Sequence, residues 1–289
     1  MNRCIALLLA LLCASLTVSS ACVAASGDWI EFDLRPTNNS NQIYASFSDE
    51  RGRNDNHWST DFAPSELAGL DLAGFRARGA HEIRFAVIRE AGRLDCLGTG
   101  GNSRASGNCR FTVDAGFTAM LERIGTGRPT ARESFALMAV NARRETLDAL
   151  AAARYPAPSI NDLTALAALG VDGNYIRGLA SVGYRPSSLD ALVQFKALNI
   201  TPEYVGGFIR IGYSRLAADD LVQLKALNVT PAYVSGFQQI GYRDLSPDTL
   251  VQLKALDITP EFVRSVQRQE GGTPPVDTLV NRKIFARRN

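Results

Sequence analysis

Histidine is almost missing from this sequence, and so is any excess of charge of one sign. The 2 histidines, His57 and His81, belong to no H-E-x-x-H motif and to no spacing that would hold a metal ion. A G-x-S-x-G elbow is lacking as well. Metal-assisted hydrolysis and the common nucleophile-and-base arrangements therefore have no visible carriers, and the sequence predicts no cofactor, no metal and no catalytic residue. Paired carboxylates for glycoside hydrolysis stay open, because their approach is decided by folding. Lysine and arginine number 31 against 29 aspartates and glutamates, so no global field draws the chain to nucleic acid or to an acidic membrane.

Long apolar runs are scarce too. The longest, Ile5 to Val18 in "MNRCIALLLALLCASLTVSSACVAASGDW", falls short of the roughly 20 residues that span a bilayer as a helix. With Arg3 before it and "VAA" before Ser26, it has the pattern of a secretory signal peptide, residues 1–25. An uncleaved anchor is one alternative. Lipoprotein processing, with a lipid anchor at Cys22 after "SSA", is another, although Ser19 stands where an apolar residue is usual. After cleavage the sequence predicts a periplasmic or secreted protein without a membrane span.

Cysteine is sparse, 5 residues in all, and Cys4, Cys13 and Cys22 lie in the leader. The remaining pair, Cys96 and Cys109, flanks the glycine-rich "LGTGGNSRASGN". Alternation puts Leu94 and Cys96 on one strand face and Cys109, Phe111 and Val113 on one face of the next. Both thiols can then point inward across a hairpin and form a disulfide in an oxidising compartment. Closing so short a loop contributes about 3 kcal/mol in the chain-entropy model. The rival reading, a reactive thiol, lacks a nearby histidine or basic cluster to lower its pKa.

From Trp29 to Val113 the apolar residues alternate: Ile30, Phe32 and Leu34; Ile43, Ala45 and Phe47; Ile83, Phe85 and Val87. Turn-forming stretches separate them, "SDERGRNDNH" among them, which fits no calcium-loop spacing. The predicted unit, residues 26–126, is an N-terminal antiparallel β domain of about six strands, a small sandwich or a curled sheet. The short "PSELAGL" helix interrupts it, and "DAGFTAMLERIG" closes it with Phe117, Met120, Leu121 and Ile124. "GTGGNSRASG" lacks the spacing of a phosphate-binding loop and reads as the hairpin tip.

A different pattern follows. "LVQLKALNVTPAYV", Leu221 to Val234, recurs 29 residues earlier as "LVQFKALNITPEYV" and 29 later as "LVQLKALDITPEFV". Tyr155, Tyr184, Tyr213 and Tyr242 keep the same period, as do Asn141, Gly170, Asn199, Asn228 and Asp257. Each unit carries two helix starts, one at Thr-Pro and one at the "SSLD" and "SPDT" stretches. Each also carries two stops, at Gly183, Gly212 and Gly241 and at the Asn or Asp positions. The second helix is apolar nearly all round, leaving a ridge at Asp190 and Gln194, so units must bury their sides against one another. Residues 134–268 are therefore predicted to form a C-terminal α-solenoid of short helical hairpins, giving an α+β chain overall. Residues 269–289 read as a linker and short basic tail.

Candidate binding residues lie on this array. Lys196, Lys225 and Lys254 share one register, either as a basic stripe or as half-buried lysines with locally paired amines. Arg210, Gln239 and Arg268, equivalent to Ser181, vary on an otherwise repeated face, as recognition of an extended partner requires.

The segments "EIRFAVIREAGRL" and "CRFTVDAGFTAML", followed by the "LVQLKALNVTPAYV" and "GYRDLSPDTL" units, resemble the extracytoplasmic C-terminal regions of bacterial integral-membrane metallopeptidases of the beta-lactam-sensor type. The resemblance spans Trp29 to Arg268. The zinc motif and membrane helices of those peptidases have no counterpart here, so it implies an accessory sensing or interaction role rather than peptidase activity. The expectation is a non-enzymatic exported envelope protein that binds a protein or peptide. The alternatives place a glycan or lipid site near Trp58 and Phe62, or a hydrolase site, in the β domain.

Overall fold

The computed structural model describes residues 29–39, 41–49 and 57–286. The leader, with Cys22 and the cleavage site, and most of the polar run before His57 lie outside them. None of the described helices is long and apolar enough to cross a membrane.

The strands are β1 Ile30–Pro36, β2 Ile43–Asp49, β3 His57–Phe62, β4 His81–Arg89, β5 Gly92–Gly101 and β6 Arg104–Val113. They form one antiparallel sheet in the order β3-β2-β1-β6-β5-β4. Two three-stranded meanders thus meet through β1 and β6. Phe32 on β1 and Phe85 on β4 are three strands apart, about 14 Å in a flat sheet, yet their rings meet edge to face with centroids 5.0 Å apart. The sheet is curled around its apolar face, and among the described residues no second sheet packs against it. Leu67, Phe75 on α1 (Leu72–Arg76), and Phe117 and Leu121 on α2 (Ala115–Ile124) close the open side. Ile124, expected in that packing face, sits in the last turn before Gly125 and is 40% exposed.

Cys96 and Cys109 are direct partners across β5 and β6, buried on the inner face and joined in a disulfide. The glycine-rich stretch between them is mostly strand rather than loop. The hairpin tip is only Asn102 and Ser103, both at positive φ, the conformation that a two-residue turn requires. Gly98 and Gly107 face each other, and a Cβ on Gly107 would lie 2.9 Å from the Phe32 ring. The glycines let the hairpin pass close beneath that ring.

Helices begin every 29 residues in two series. The A series is α3 Ala131–Ala139, α5 Ile160–Ala168, α7 Leu189–Ala197, α9 Ala218–Ala226, α11 Pro247–Ala255 and α13 Val276–Ala286. The B series is α4 Arg144–Ala152, α6 Gly173–Ser181, α8 Pro202–Arg210, α10 Pro231–Gln238 and α12 Pro260–Glu270. Side-chain caps start most of them: Thr130, Ser159, Ser188 and Ser246 in the A series, Asp172, Thr201, Thr230 and Thr259 in the B series. Asn141, Gly170, Asn199, Asn228 and Asp257 follow the A helices at positive φ; Arg154, Gly183, Gly212 and Gly241 do so after the B helices. A helices stack on A helices and B on B, giving a two-layer solenoid.

The array begins before Ser134 and continues past Arg268. The stretch expected to be a linker and tail contains α13, whose "VDTLV" repeats "PDTLV" 29 residues on and whose Leu279 and Val280 are buried. Gly271 and Gly272 disguise the boundary in sequence. At the other end the core of the sheet runs without interruption into Leu137, Met138, Leu147 and Leu163. Arg89 ties this junction. Its guanidinium donates to the carbonyls of Met138, at 2.8 Å, and Ala139 at the end of α3, beneath the rings of Trp58 and Phe62.

The Thr-Pro mark has a packing role as well as a capping one. The rings of Pro202, Pro231 and Pro260 lie against Gly178, Gly207 and Gly236 of the preceding B helix, where a Cβ would come within 2.6–2.8 Å of the proline Cγ. Gly207→Ala sets a helix-propensity gain of about 1 kcal/mol against an overpacking cost of about 1–3 kcal/mol at a rigid ring. A net loss of stability is expected in urea unfolding. A stabilised variant would show that this contact does not set the spacing of the units.

Candidate functional site

The repeat phrase places tyrosines at two positions per unit, and the structure gives both the same kind of task. In the B helices the hydroxyls of Tyr175, Tyr204 and Tyr233 donate to the carbonyls of Ile200, Val229 and Ile258 in the next unit, at 2.6–2.7 Å. In the loops after the B helices, Tyr155, which follows Arg154, and the Gly-Tyr residues Tyr184, Tyr213 and Tyr242 donate to Pro186, Leu216, Leu245 and Pro274, at 2.6–3.1 Å. Of the 8 tyrosines in the sequence, only Tyr44 stands outside these two ladders. Each bond satisfies a hydroxyl that is partly or wholly buried and would otherwise lose its hydration.

The lysines of the candidate stripe belong to the first ladder. Lys196, Lys225 and Lys254 hold their amines over the rings of Tyr175, Tyr204 and Tyr233, 4.6–4.8 Å from the centroids. Lys283 takes the same place over Phe262 at 5.0 Å, a fourth member hidden in the supposed tail. All four are half-buried. The local partner of the first three is thus an aromatic face, a cation–π contact, and not a carboxylate. Lys283 alone also reaches one, Asp257 at 3.4 Å.

Two rows remain at the surface. Arg210, Gln239 and Arg268 sit at or just after the last turns of α8, α10 and α12, exposed, at the register of Ser181, and their side chains make no hydrogen bond or ion pair among the described residues. On the A helices the ridge seen at Asp190 and Gln194 repeats as Asp219 and Gln223, and as Asp248 and Gln252, all exposed; Asp220, beside Asp219, is half-buried and accepts from the Ala217 N–H at the start of its own helix. Two of the leucines that follow A helices are poorly covered: Leu169 is 41% exposed and Leu227 38%. The A helices are therefore less enclosed than their apolar circumference suggested.

The β domain offers less. Trp58 is held between the rings of Phe47, Phe62 and Phe135 and the Arg89 guanidinium, and Phe62 is fully buried. Neither leaves a ring face open for a sugar. On the outer face of the sheet Asp33, Glu82 and Asp95 are each paired to an arginine two residues along, Arg35, Arg84 and Arg93. His81 meets the Arg78 carbonyl at 3.0 Å, and His57 is exposed at the sheet edge. Among the described residues no three potential metal ligands gather.

Burial raises the phenol of Tyr184 to about 12, with the negative charge of Asp220 as the second cause. Burial likewise raises Tyr175, Tyr204 and Tyr233. An unfolded tyrosine ionises near pH 10. The folded array binds these protons more tightly, so their contribution to stability is complete below about pH 10 and is lost as pH rises towards 12 and beyond. In an alkaline titration the phenolate absorbance at 295 nm and the loss of helical circular dichroism should rise together. Ionisation of most tyrosines with the helices intact would mean that the ladders do not hold the units together.

No protein-family model, no curated protein and no solved structure matches the chain, and what it does has to be argued from the ladders and from the rows that they leave at the surface.

Proposed function

We propose that this protein is a non-enzymatic interaction module of the cell envelope that holds an extended polypeptide along its solenoid. The observation that carries this reading is the division of labour within each unit. Tyrosines and lysines are consumed between units, while Arg210, Gln239 and Arg268 stay exposed and without partners at one register. Groups repeated at a fixed pitch on a stiff scaffold suit a ligand that is itself extended. Variation within the row, from serine to arginine to glutamine, allows one such ligand to be told from another.

An extracytoplasmic setting fits the Cys96–Cys109 disulfide and the signal-like leader. The resemblance to the extracytoplasmic regions of sensor-type metallopeptidases supports an accessory or sensing role of the same kind. The curled sheet then serves as the N-terminal cap that a solenoid needs to end its stack of apolar faces.

A photo-crosslinking amino acid placed singly at positions 210, 239 and 268 should trap the same polypeptide in cells that make the protein. A control at Glu82, on the outer face of the sheet, should not. Adducts from Glu82 alone, or none from the array row, would remove the proposal and direct attention to the β domain.

A further inference from the structure

The four boundaries closed by the loop tyrosines Tyr155, Tyr184, Tyr213 and Tyr242 are built alike but finished differently. At the first, Arg185 folds back over the preceding unit. It donates to the carbonyls of Ala153 at 2.7 Å and Arg154 at 2.9 Å, with its guanidinium 4.2 Å from the centre of the Tyr155 ring. Arg243 stands two units later in the same register, where the equivalent groups are the carbonyls of Ile211 and Gly212 and the ring of Tyr213. It makes none of these contacts. The Ile211 carbonyl is already taken by the side-chain amide of Gln238 at 2.9 Å, where the first boundary has Ala180. Arg243 is left exposed and without a hydrogen bond or ion pair among the described residues.

An open cleft of about 450 Å³ results, walled by Gly212, Tyr213, Gln238, Arg243 and Asp244. The other boundaries lack the combination. The second has Ser214 and Ile209 at these registers; the fourth has Gln267, bonded to the Ile240 carbonyl at 2.9 Å, with Gly272 in place of the arginine.

We infer that this cleft is an anchoring subsite for a carboxylate of the bound polypeptide, received by the free guanidinium of Arg243 beside the Gln238 amide and the Tyr213 ring. The inference rests on the reading of the array as a polypeptide-binding module and names the chemistry of one contact within it. An arginine fork matches a planar carboxylate with two parallel hydrogen bonds. Asp244, which lines the same cleft, leaves the local charge near balance. That selects a singly charged group over a dianionic phosphate. The carboxylate is supplied either by an acidic side chain or by a chain end.

The test uses isotope-labelled full chain and three short probes: acetyl-Ala-Ala-Glu-Ala-amide, acetyl-Ala-Ala-Ala-Ala with a free carboxyl end, and acetyl-Ala-Ala-Gln-Ala-amide. At least one acidic probe should give saturable NMR shifts at the Arg243 Nε–H and the Gln238 side-chain amide, and the neutral probe none. The first probe marks a side chain as the source and the second a chain end. Arg243→Gln should weaken binding about tenfold, the scale of one charge-assisted contact, whereas Arg185→Gln should leave it unchanged. Gln238→Ala recreates the first boundary, so Arg243 should fold back onto Ile211 and Gly212 and binding should fall without loss of thermal stability. Absence of saturable shifts with either acidic probe, or shifts that persist in both Arg243→Gln and Gln238→Ala, would overturn the assignment. Crosslinks formed from positions 210, 239 and 268 would be unaffected by that failure, so the subsite and the wider binding role stand or fall separately.

Discussion

Up to the unit that holds α12, each unit is joined to the next by a tyrosine hydroxyl reaching a backbone carbonyl, 25 residues on from the B helices and 31 or 32 on from the loops. A stack of 9-residue helices is too short-ranged to hold itself in register by helix propensity alone, since isolated helices of that length are marginal in water. Apolar burial drives the units together but carries no direction. The hydroxyl bonds supply direction. A unit that slides or tilts leaves a buried donor and a buried carbonyl unsatisfied at two places at once, a cost of about 1–3 kcal/mol for each group. The lysine amines over the same rings follow from this arrangement. Once the hydroxyl is fixed at its carbonyl the ring can present one face to the next A helix, and the half-buried lysine covers it while keeping its charge partly hydrated. Phe262 shows the two functions to be separable, for it has no hydroxyl yet still receives Lys283.

The curled sheet solves the problem that such an array creates at its first unit, whose apolar side has no predecessor. Leu137, Met138 and Leu147 of that unit enter the core that Phe32, Phe47 and Phe85 begin, and Arg89 caps the end of α3 from the sheet side. Its burial lowers the proton affinity of the guanidinium, but two helix-end carbonyls and two aromatic faces replace the lost water, and a group that ordinarily titrates above 12 keeps its charge. The disulfide and the glycine pair at Gly98 and Gly107 belong to the same device. They hold β5 and β6 tightly enough that Phe32 and Phe85 meet across the curl.

Much of this was legible in the sequence because it depends on local chemistry. Thr-Pro and Ser caps, positive-φ glycines and asparagines, and a period carried by tyrosine announce helices and their ends without reference to anything distant. The pairing of Cys96 with Cys109 followed from alternation. What could not be read is whatever depends on the angle between elements. Period-two patterns are the same in a sandwich and in a curled sheet. The lysine register was visible, but the ring beneath each amine lies 21 residues away, at a distance set by how one unit leans on the next. The last A helix is disguised in the sequence because Gly271 and Gly272 resemble a linker, and because Ile284 and Phe285 stand where the other units have Ala-Leu.

The same geometry separates what can change in this protein from what cannot. Residues of the ladders bond across unit boundaries, so a substitution there should be felt beyond its own unit. Residues at the rim of a Gly-Tyr boundary answer only to that boundary. Arg185, Ser214, Arg243 and Gly272 occupy one register with different outcomes: the boundary with Ala180 is covered by Arg185 and the boundary with Gln238 is left open, while the tyrosine bond persists at both. A solenoid of this kind can therefore acquire a distinct contact at one unit without disturbing the rest, because the units touch through groups that the rim does not share. On the proposed binding role, specificity would reside at the boundaries, since the ladders fix the spacing of one boundary from the next.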